Sequence, residues 1–262
     1  MSKGSLIVVG TGIRTVGQLT MEAIAWLERA DKVLYIVGDP VAEAVIKRLN
    51  PAGAESLFGL YVEGKPRLQT YSEMVERVLE CVRAGMLTCL ACYGHPGVFV
   101  GPSHEAMRRA RNEGFTAKML PGISAEDCLF ADLGVDPGAT GCQSYEATDF
   151  LVNGRRIDPT SSVVLWQIGA VGEMIFRKTG YQLKALPILI ERLFQYYPPT
   201  HVSYLYEASV FPGCEPAIVA VQIHALAQVA ISAGATLYIP PAFPTTTDPW
   251  IYYRMTVAAR MA

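Results

Sequence analysis

Three short segments of the 262-residue chain concentrate the residue types that hold small ligands. They are Val8-Val9-Gly10-Thr11-Gly12-Ile13-Arg14-Thr15-Val16-Gly17, Tyr93-Gly94-His95-Pro96-Gly97-Val98-Phe99 and Leu120-Pro121-Gly122-Ile123-Ser124-Ala125-Glu126. The second follows the apolar run Leu87-Thr88-Cys89-Leu90-Ala91-Cys92, and such a run stopping in a Gly/Pro turn reads as a buried strand ending at a ligand crevice. Its glycines would let a ligand approach the backbone with no Cβ in the way. Its proline stiffens the turn, and its aromatics could flank something flat. In the third segment a strand exits into Pro-Gly and Ser124 caps the next helix, which can turn backbone N–H groups toward a ligand. An ordinary capped helix start is the alternative there. The first segment is a poor dinucleotide fingerprint: its third glycine comes late for G-x-G-x-x-G, and Asp39 stands too far along to read a ribose. A tight turn without ligand contact is the alternative for it.

The elements that must position these loops are legible from periodicity. Ser5 to Val9, Lys32 to Val37, Leu87 to Cys92 and Thr116 to Leu120 read as strands. Helices are expected over Gln18 to Ala30, Val41 to Leu49, Tyr71 to Ala84 and Pro102 to Asn112, and from the Ser124 cap to about Leu133. The Tyr71 helix is strongly amphipathic, with Met74, Val75, Val78, Leu79 and Val82 on one side and Gly85 at its end. This alternation predicts a mostly parallel α/β sheet. Gly134 to Thr160 is rich in Gly, Pro, Asp and Asn and is expected to link two domains. Beyond it, strands over Ser162 to Gln167, Val202 to Glu207, Ala217 to Ile223 and Thr236 to Ile239, with helices over Leu186 to Tyr196 and His224 to Ser232, predict an α+β unit with antiparallel pairing. The expected fold class is α/β, in two domains, 1–137 and 138–262. Trp250, Tyr252 and Tyr253 lie in the closing tail.

Composition narrows the function classes. A hydrophobic fraction of 51% is ample for a packed core, and a net charge of -2 offers no basic face for nucleic acid. No apolar run approaches the roughly 20 residues that span a bilayer, and the N-terminus lacks a signal peptide, so the expected compartment is the cytoplasm. Cys89 and Cys92 form a C-x-x-C spacing that could suggest redox or metal chemistry. No second pair completes a zinc set, both lie in an apolar strand, and His95, His104, His201 and His224 are scattered. Buried free thiols and no metal site are expected.

Together the V-V-G-T-G, Y-G-H-P-G-V-F and L-P-G-I-S-A-E loops, in this order and at these separations, resemble the tetrapyrrole methylase superfamily. The resemblance covers nearly the whole chain, including Leu165-Trp166-Gln167 and Thr236-Leu237-Tyr238-Ile239-Pro240-Pro241. It implies two α/β domains of the tetrapyrrole methylase type with a cleft between them for S-adenosyl-L-methionine, and S-adenosyl-L-homocysteine as product. It implies cofactor contacts from Tyr93, Gly94, His95, Pro96, Val98 and Phe99. Ser124 and Ala125 would meet the amino-acid end, and Gln167, Tyr204 and Thr236 the adenosine end.

Within the superfamily, Tyr61-Val62-Glu63-Gly64-Lys65-Pro66-Arg67-Leu68-Gln69-Thr70-Tyr71 resembles the active-site segment of the borosin α-N-methyltransferases. Ser103-His104, Gly114-Phe115-Thr116-Ala117-Lys118-Met119, Phe130-Ala131-Asp132-Leu133-Gly134 and Gln143-Ser144-Tyr145-Glu146-Ala147 are similar to further borosin segments. These enzymes methylate backbone amide nitrogens of a ribosomally made peptide, which fungal members carry at their own C-terminus. This sequence ends soon after Pro241 with no clasp-like extension and no Val/Ile-rich core peptide. It therefore resembles the split bacterial type, a homodimer acting on a separate precursor peptide with a helical recognition domain.

The resemblance assigns the chemistry to Arg67, Tyr61 and Tyr71. An amide nitrogen is a poor nucleophile because its lone pair is delocalised into the carbonyl. Its proton must leave, and negative charge then gathers on the oxygen. A fixed cation beside that oxygen stabilises the imidate-like state more than the neutral amide, which is what catalysis requires. Arg67 would supply the cation, and Tyr61 and Tyr71 would hydrogen-bond the amide and accept or relay its proton. If Tyr71 opens its helix, Arg67 lies just before it on a loop. The family segment has a further tyrosine where this chain has Phe58, so one hydroxyl is missing. Two alternatives stay open: a tetrapyrrole-type C-methyltransferase, which has no use for an amide-activating group, and a cofactor-binding scaffold indifferent to Arg67.

Overall fold

The computed structural model describes residues 4–260. The chain runs β1 (Ser5–Gly10), α1 (Thr15–Gln18), α2 (Met21–Arg29), β2 (Lys32–Ile36), α3 (Pro40–Leu49), β3 (Ala54–Ser56), α4 (Arg67–Arg83), β4 (Leu87–Cys92), α5 (Gly101–Asn112), β5 (Thr116–Met119) and α6 (Ala125–Leu133). The five strands pair in parallel in the order β3-β2-β4-β1-β5. The central strands read as continuous apolar runs because both faces are covered. Leu6, Val8, Leu90 and Cys92 pack on α4 and α5, while Ile7, Val9, Cys89 and Ala91 pack on α2 and α3. Because β4, β1 and β5 are adjacent and parallel, the three glycine loops that follow them leave the same edge of the sheet side by side. Ligands of open α/β sheets bind outside this carboxyl edge.

The same geometry disposes of the C-x-x-C pair. An odd separation along a strand sends side chains to opposite faces, so Cys89 and Cys92 lie in different cores, 0% and 1% exposed. Burial raises both thiols above their ordinary range, Cys92 to about 12. Cys214 is exposed, whereas Cys81 and Cys128 are buried. A thiol reagent added to the native protein should therefore label Cys214 rapidly and the two β4 thiols only after denaturation. Rapid labelling of Cys89 or Cys92 would contradict the placement.

The second half adds α7 (Pro137–Thr140), β6 (Cys142–Glu146), α8 (Ala147–Val152), β7 (Ser162–Trp166), α9 (Leu186–Leu193), β8 (Val202–Glu207), β9 (Ala217–Gln222), β10 (Thr236–Ile239) and α10 (Pro249–Arg260). Its sheet has the order β6-β7-β10-β8-β9, antiparallel except for the β6–β7 pair. One face buries Val163, Leu165, Leu205 and Leu237 with Phe150 of α8 and Leu189 and Leu193 of α9. The other face carries Val164, Trp166, Tyr206 and Tyr238 onto Ile13, Cys128 and Leu129 of the first half. This shared cluster holds the second sheet against the loop-bearing edge of the first.

Several expected elements differ. The stretch Gly134 to Thr160 is more than a link, since it contains β6 and α8. Strand β6 is an edge strand with polar Gln143 and Ser144 in its middle, so it lacks an apolar run. Helix α4 starts at Arg67, one turn before Tyr71, with Pro66 immediately ahead of it. The expected helix from Gln18 is broken near Leu19, and Thr20 starts α2 afresh by accepting a hydrogen bond from the Ala23 amide. The helix expected over His224 to Ser232 is a 3-10 turn at Ile223–Gln228. Among the described residues, no helix is long and apolar enough to cross a membrane.

Candidate active site

The three glycine loops meet backbone to backbone. Gly94 N donates to Gly12 O over 3.0 Å and Gly12 N to Gly94 O over 3.3 Å. A Cβ on Gly10 would stand 2.3 Å from the Gly94 carbonyl oxygen and 2.8 Å from Pro96 Cδ. A Cβ on Gly122 would stand 3.0 Å from Gly10 Cα. Gly10 and Gly122 are thus small so that the loops can touch one another, not because a ligand must reach their backbone. The Tyr93–Phe99 loop is braced by its own neighbours. His95 Nδ1 accepts from Gly97 N at 2.9 Å, His104 Nε2 bonds the Gly97 carbonyl at 2.9 Å, and the Ser103 hydroxyl donates to the Pro96 carbonyl.

Above these loops lies a cavity of about 290 Å³ walled by both halves. Of the residues expected to hold a cofactor, Tyr93, Gly94, His95, Val98, Phe99, Ser124, Ala125, Gln167 and Thr236 line it. Pro96 and Tyr204 are not among its lining residues. Pro96 is buried against Gly10, and Tyr204 packs in the shared cluster, its ring 6.2 Å from that of Tyr238. Tyr206, two residues on and therefore on the same strand face, takes the wall position. Its hydroxyl donates to Asp132 Oδ2 at 2.7 Å, and burial together with that carboxylate raises its pKa well above the ordinary tyrosine value. Asp132 thereby ties α6 to β8 directly beneath the cavity. Ser124 contributes backbone rather than hydroxyl, because its side chain is committed to a capping box with Asp127. Glu207 adds a carboxylate to the wall, where it accepts from the Ser232 hydroxyl.

Two of the wall residues sit in left-handed backbone without being glycine: Phe99 at φ 55 and Gln167 at φ 57. That conformation costs energy in L-residues and persists where surrounding structure over-determines it. Here the Phe99 ring packs across the cleft, 5.6 Å from that of Trp166.

A second cavity, of about 480 Å³, adjoins the first and shares Tyr93, Gln167, Val210 and Ala233 with it. It gathers Tyr61, Arg67 and Tyr71. Because α4 begins at Arg67, Arg67 and Tyr71 are i and i+4 on one helix and share a face. Arg67 is therefore the first residue of the helix and not a loop residue ahead of it. Tyr61 follows the 3-10 turn Phe58–Leu60. Burial, reinforced by the Tyr71 phenol beside it, raises Tyr61 well above the ordinary tyrosine value, with Arg67 pulling weakly the other way. Phe58 also lines the cavity, its ring 5.6 Å from that of Tyr61.

The second half closes over this segment. Gly64 N donates to Phe176 O and Phe176 N to Lys65 O, both at 2.9 Å, and Arg67 N donates to Met174 O at 3.1 Å. The Phe176 ring lies 4.9 Å from that of Tyr61, and Arg67 Nη2 donates to the Tyr181 hydroxyl at 2.7 Å. Sequence reasoning missed Phe176, Tyr181, Tyr206 and Glu207. The period-2 relation of Tyr206 to Tyr204 was a usable signal. For Phe176 and Tyr181 there was none, since an irregular loop brings them to partners more than a hundred positions away.

A methyltransferase/ribosomally synthesized cyclic peptide dendrothelin A precursor from Dendrothele bispora is 45% identical over 242 residues, covering 91% of this chain and 58% of its own length. The corresponding omphalotin A precursor from Omphalotus olearius is 43% identical over 242 residues, with the same coverage of 91% and 58%. The chain thus spans little more than half the length of these curated relatives. Among solved structures, a uroporphyrin-III-C-methyltransferase from Thermus thermophilus shares the fold, with a TM-score of 0.64 at 19% identity over 92% of this chain and 93% of that one. A structure of uroporphyrin-III C-methyltransferase from the same organism, complexed with S-adenosylhomocysteine, gives 0.61 at 19% identity over 90% and 92%. The family described as Tetrapyrrole (Corrin/Porphyrin) Methylases matches residues 5–211. Across that span lie all three glycine loops, both cavities' principal walls and the Arg67 helix, and the chain belongs to the tetrapyrrole methylase family.

Proposed function

We propose that this chain is a methyltransferase that uses S-adenosyl-L-methionine to methylate backbone amide nitrogens of a ribosomally made peptide. The observation that carries the proposal is the gathering of Arg67, Tyr61 and Tyr71 in a cavity that shares a wall with the glycine-loop cavity. The names of the relatives, which join a methyltransferase to a cyclic peptide precursor, support the substrate class. A separate precursor with a helical recognition domain, a homodimeric and cytoplasmic enzyme, and a cofactor held between units 1–137 and 138–262 complete the proposal.

The smaller cavity suits this cofactor. Backbone from Gly94 and Ala125, the Phe99 and Trp166 rings and the Glu207 carboxylate offer polar edges, flat apolar walls and a negative charge for a cationic ligand. When bound, S-adenosyl-L-methionine supplies a methyl group on a positively charged sulfur. The residues of the larger cavity then prepare the amide. Arg67, permanently charged, faces the carbonyl oxygen and stabilises the charge that develops there. Tyr61, kept neutral by burial, donates a hydrogen bond to the same oxygen and does not act as a phenolate base at neutral pH. Tyr71 accepts the amide N–H and passes a proton on to water. The nitrogen loses one proton and gains one carbon, and Phe58 takes no part in the relay.

The test is direct. The chain is incubated with S-adenosyl-L-methionine and a precursor peptide that carries a helical domain and an apolar C-terminal stretch. Mass spectrometry should show successive gains of one methylene mass, and fragmentation should place them on backbone nitrogens. Methyl groups on carbon or on side chains, or no gain, would overturn the proposal.

A further inference from the structure

We propose that Tyr181 is a positioning residue that holds the Arg67 guanidinium in the reaction cavity from the opposite half of the molecule. The role in turnover rests on the function proposed above; the contact itself does not. Arg67 needs such a partner. It is the first residue of α4, and a helix N-terminus disfavours a cation. Its long side chain has many rotamers, and freezing them during the reaction would cost entropy at the moment of catalysis. Among the described residues its side chain has no carboxylate partner, although Lys65 and Arg177, on the two paired segments, do, with Glu73 and Glu63. A carboxylate would orient Arg67 but neutralise the field it must direct at a developing oxyanion. A phenol orients the guanidinium and leaves its charge intact.

The structure places Tyr181 to do this. Its hydroxyl accepts from Arg67 Nη2 at 2.7 Å, and the guanidinium carbon lies 5.1 Å from its ring centroid. Both residues line the larger cavity. The distance is set by backbone, not chance. Residues 174–176 pair with 64–67 through the three amide–carbonyl bonds already described, and Lys178 N donates to Glu63 Oε2 at 2.7 Å. Gly180, at φ +90, then turns the chain just before Tyr181. The ladder that pins the Arg67 backbone therefore also pins the residue that grips its side chain.

Tyr181→Phe and Tyr181→Ala test the proposal. Loss of a hydrogen bond to a charged group predicts a fall in kcat of about tenfold or more for Tyr181→Phe. Tyr181→Ala, which also removes the ring, should fall further. Cofactor affinity by calorimetry and Tm should stay unchanged in Tyr181→Phe, which separates positioning from a structural role. A second readout is independent of activity: the Arg67 Nε–Hε signal in 15N NMR of the full chain, identified by its disappearance in Arg67→Lys. In Tyr181→Phe this signal should shift and sharpen as the guanidinium gains rotational freedom. An unmoved signal, or an undiminished kcat, overturns the proposal. A wild-type chain that never methylates peptide while the signal still moves sinks the proposed function and upholds the grip of Tyr181 on Arg67.

Discussion

Arg67→Ala is expected to lower peptide methylation by at least about 10²–10³-fold, the usual loss when one charge-stabilising donor is removed from an active site. Cofactor affinity should stay within about twofold, because Arg67 lines the larger cavity and is not among the residues walling the smaller one. The separation of the two effects is what makes the experiment decisive. A structural arginine would lower Tm and weaken both functions together, and a surface arginine would change neither. Arg67→Lys should rescue little, because an ammonium cannot present the planar fork of donors that reaches the oxygen and Tyr181 at once. Tyr71→Phe should also slow turnover strongly, since it removes the only atom of that side chain able to accept the amide proton. If Arg67→Ala turns over peptide at the wild-type rate, the amide-activation mechanism is wrong.

The second large effect belongs to Gly10. Gly10→Ala would drive a methyl group against the Gly94 carbonyl oxygen at 2.3 Å and Pro96 Cδ at 2.8 Å, and neither is the free end of a flexible side chain. Overpacking of this kind costs roughly 1–3 kcal/mol or more, and a fall in Tm of about 5 °C or more is expected for a chain of this size. The loops can relieve the clash only by separating, which opens the floor of the smaller cavity. Cofactor affinity should therefore drop along with Tm, in contrast to Arg67→Ala. Gly17 is the control. It belongs to the same V-V-G-T-G-I-R-T-V-G run, but a Cβ there meets nothing within 4 Å, and it lies in α1 at an ordinary φ. Gly17→Ala should be neutral or slightly stabilising. Calorimetric binding and thermal melts of the two variants side by side check the contrast. Equal behaviour would mean that the loops are not packed as described.

The two glycines show where sequence reasoning succeeds and where it stops. The run itself was legible as punctuation after a buried strand. Which glycine matters depends on a loop some eighty positions away, and nothing local encodes that. The central strands β1, β2 and β4 were legible because burial on both faces leaves continuous apolar runs. Strands β3 and β6 were not, since β3 is three residues long and both stand at sheet edges with polar side chains. Helix α4 was visible from its apolar face, but its first turn, Arg67-Leu68-Gln69-Thr70, carries little of that periodicity. Apolar periodicity therefore marks the start a turn late and does not show the face that Arg67 and Tyr71 share. Arg67, Tyr61 and Tyr71 were found through a resemblance and not through any pattern of their own. Tyr204 and Tyr206 share one face of β8, so strand alternation does not say which of them reaches the cavity; that depends on where along the strand the cavity lies.

The pairing of residues 61–67 with 174–178 also bears on how such a chain can be recombined with its relatives. A crossover anywhere between Arg67 and Met174 would inherit one rail of this ladder from each parent, and with it Arg67 from one and Tyr181 from the other. Amide–carbonyl pairing tolerates such mixing, because it asks nothing of side chains. The grip on the guanidinium does not, because it needs a phenol at one particular place. Chimeras joined within this interval should then fold yet vary widely in turnover, whereas crossovers before Tyr61 or after Tyr181 should pass the whole clasp on intact. Inheritance of function would follow the seam between the two halves and not the boundary of either.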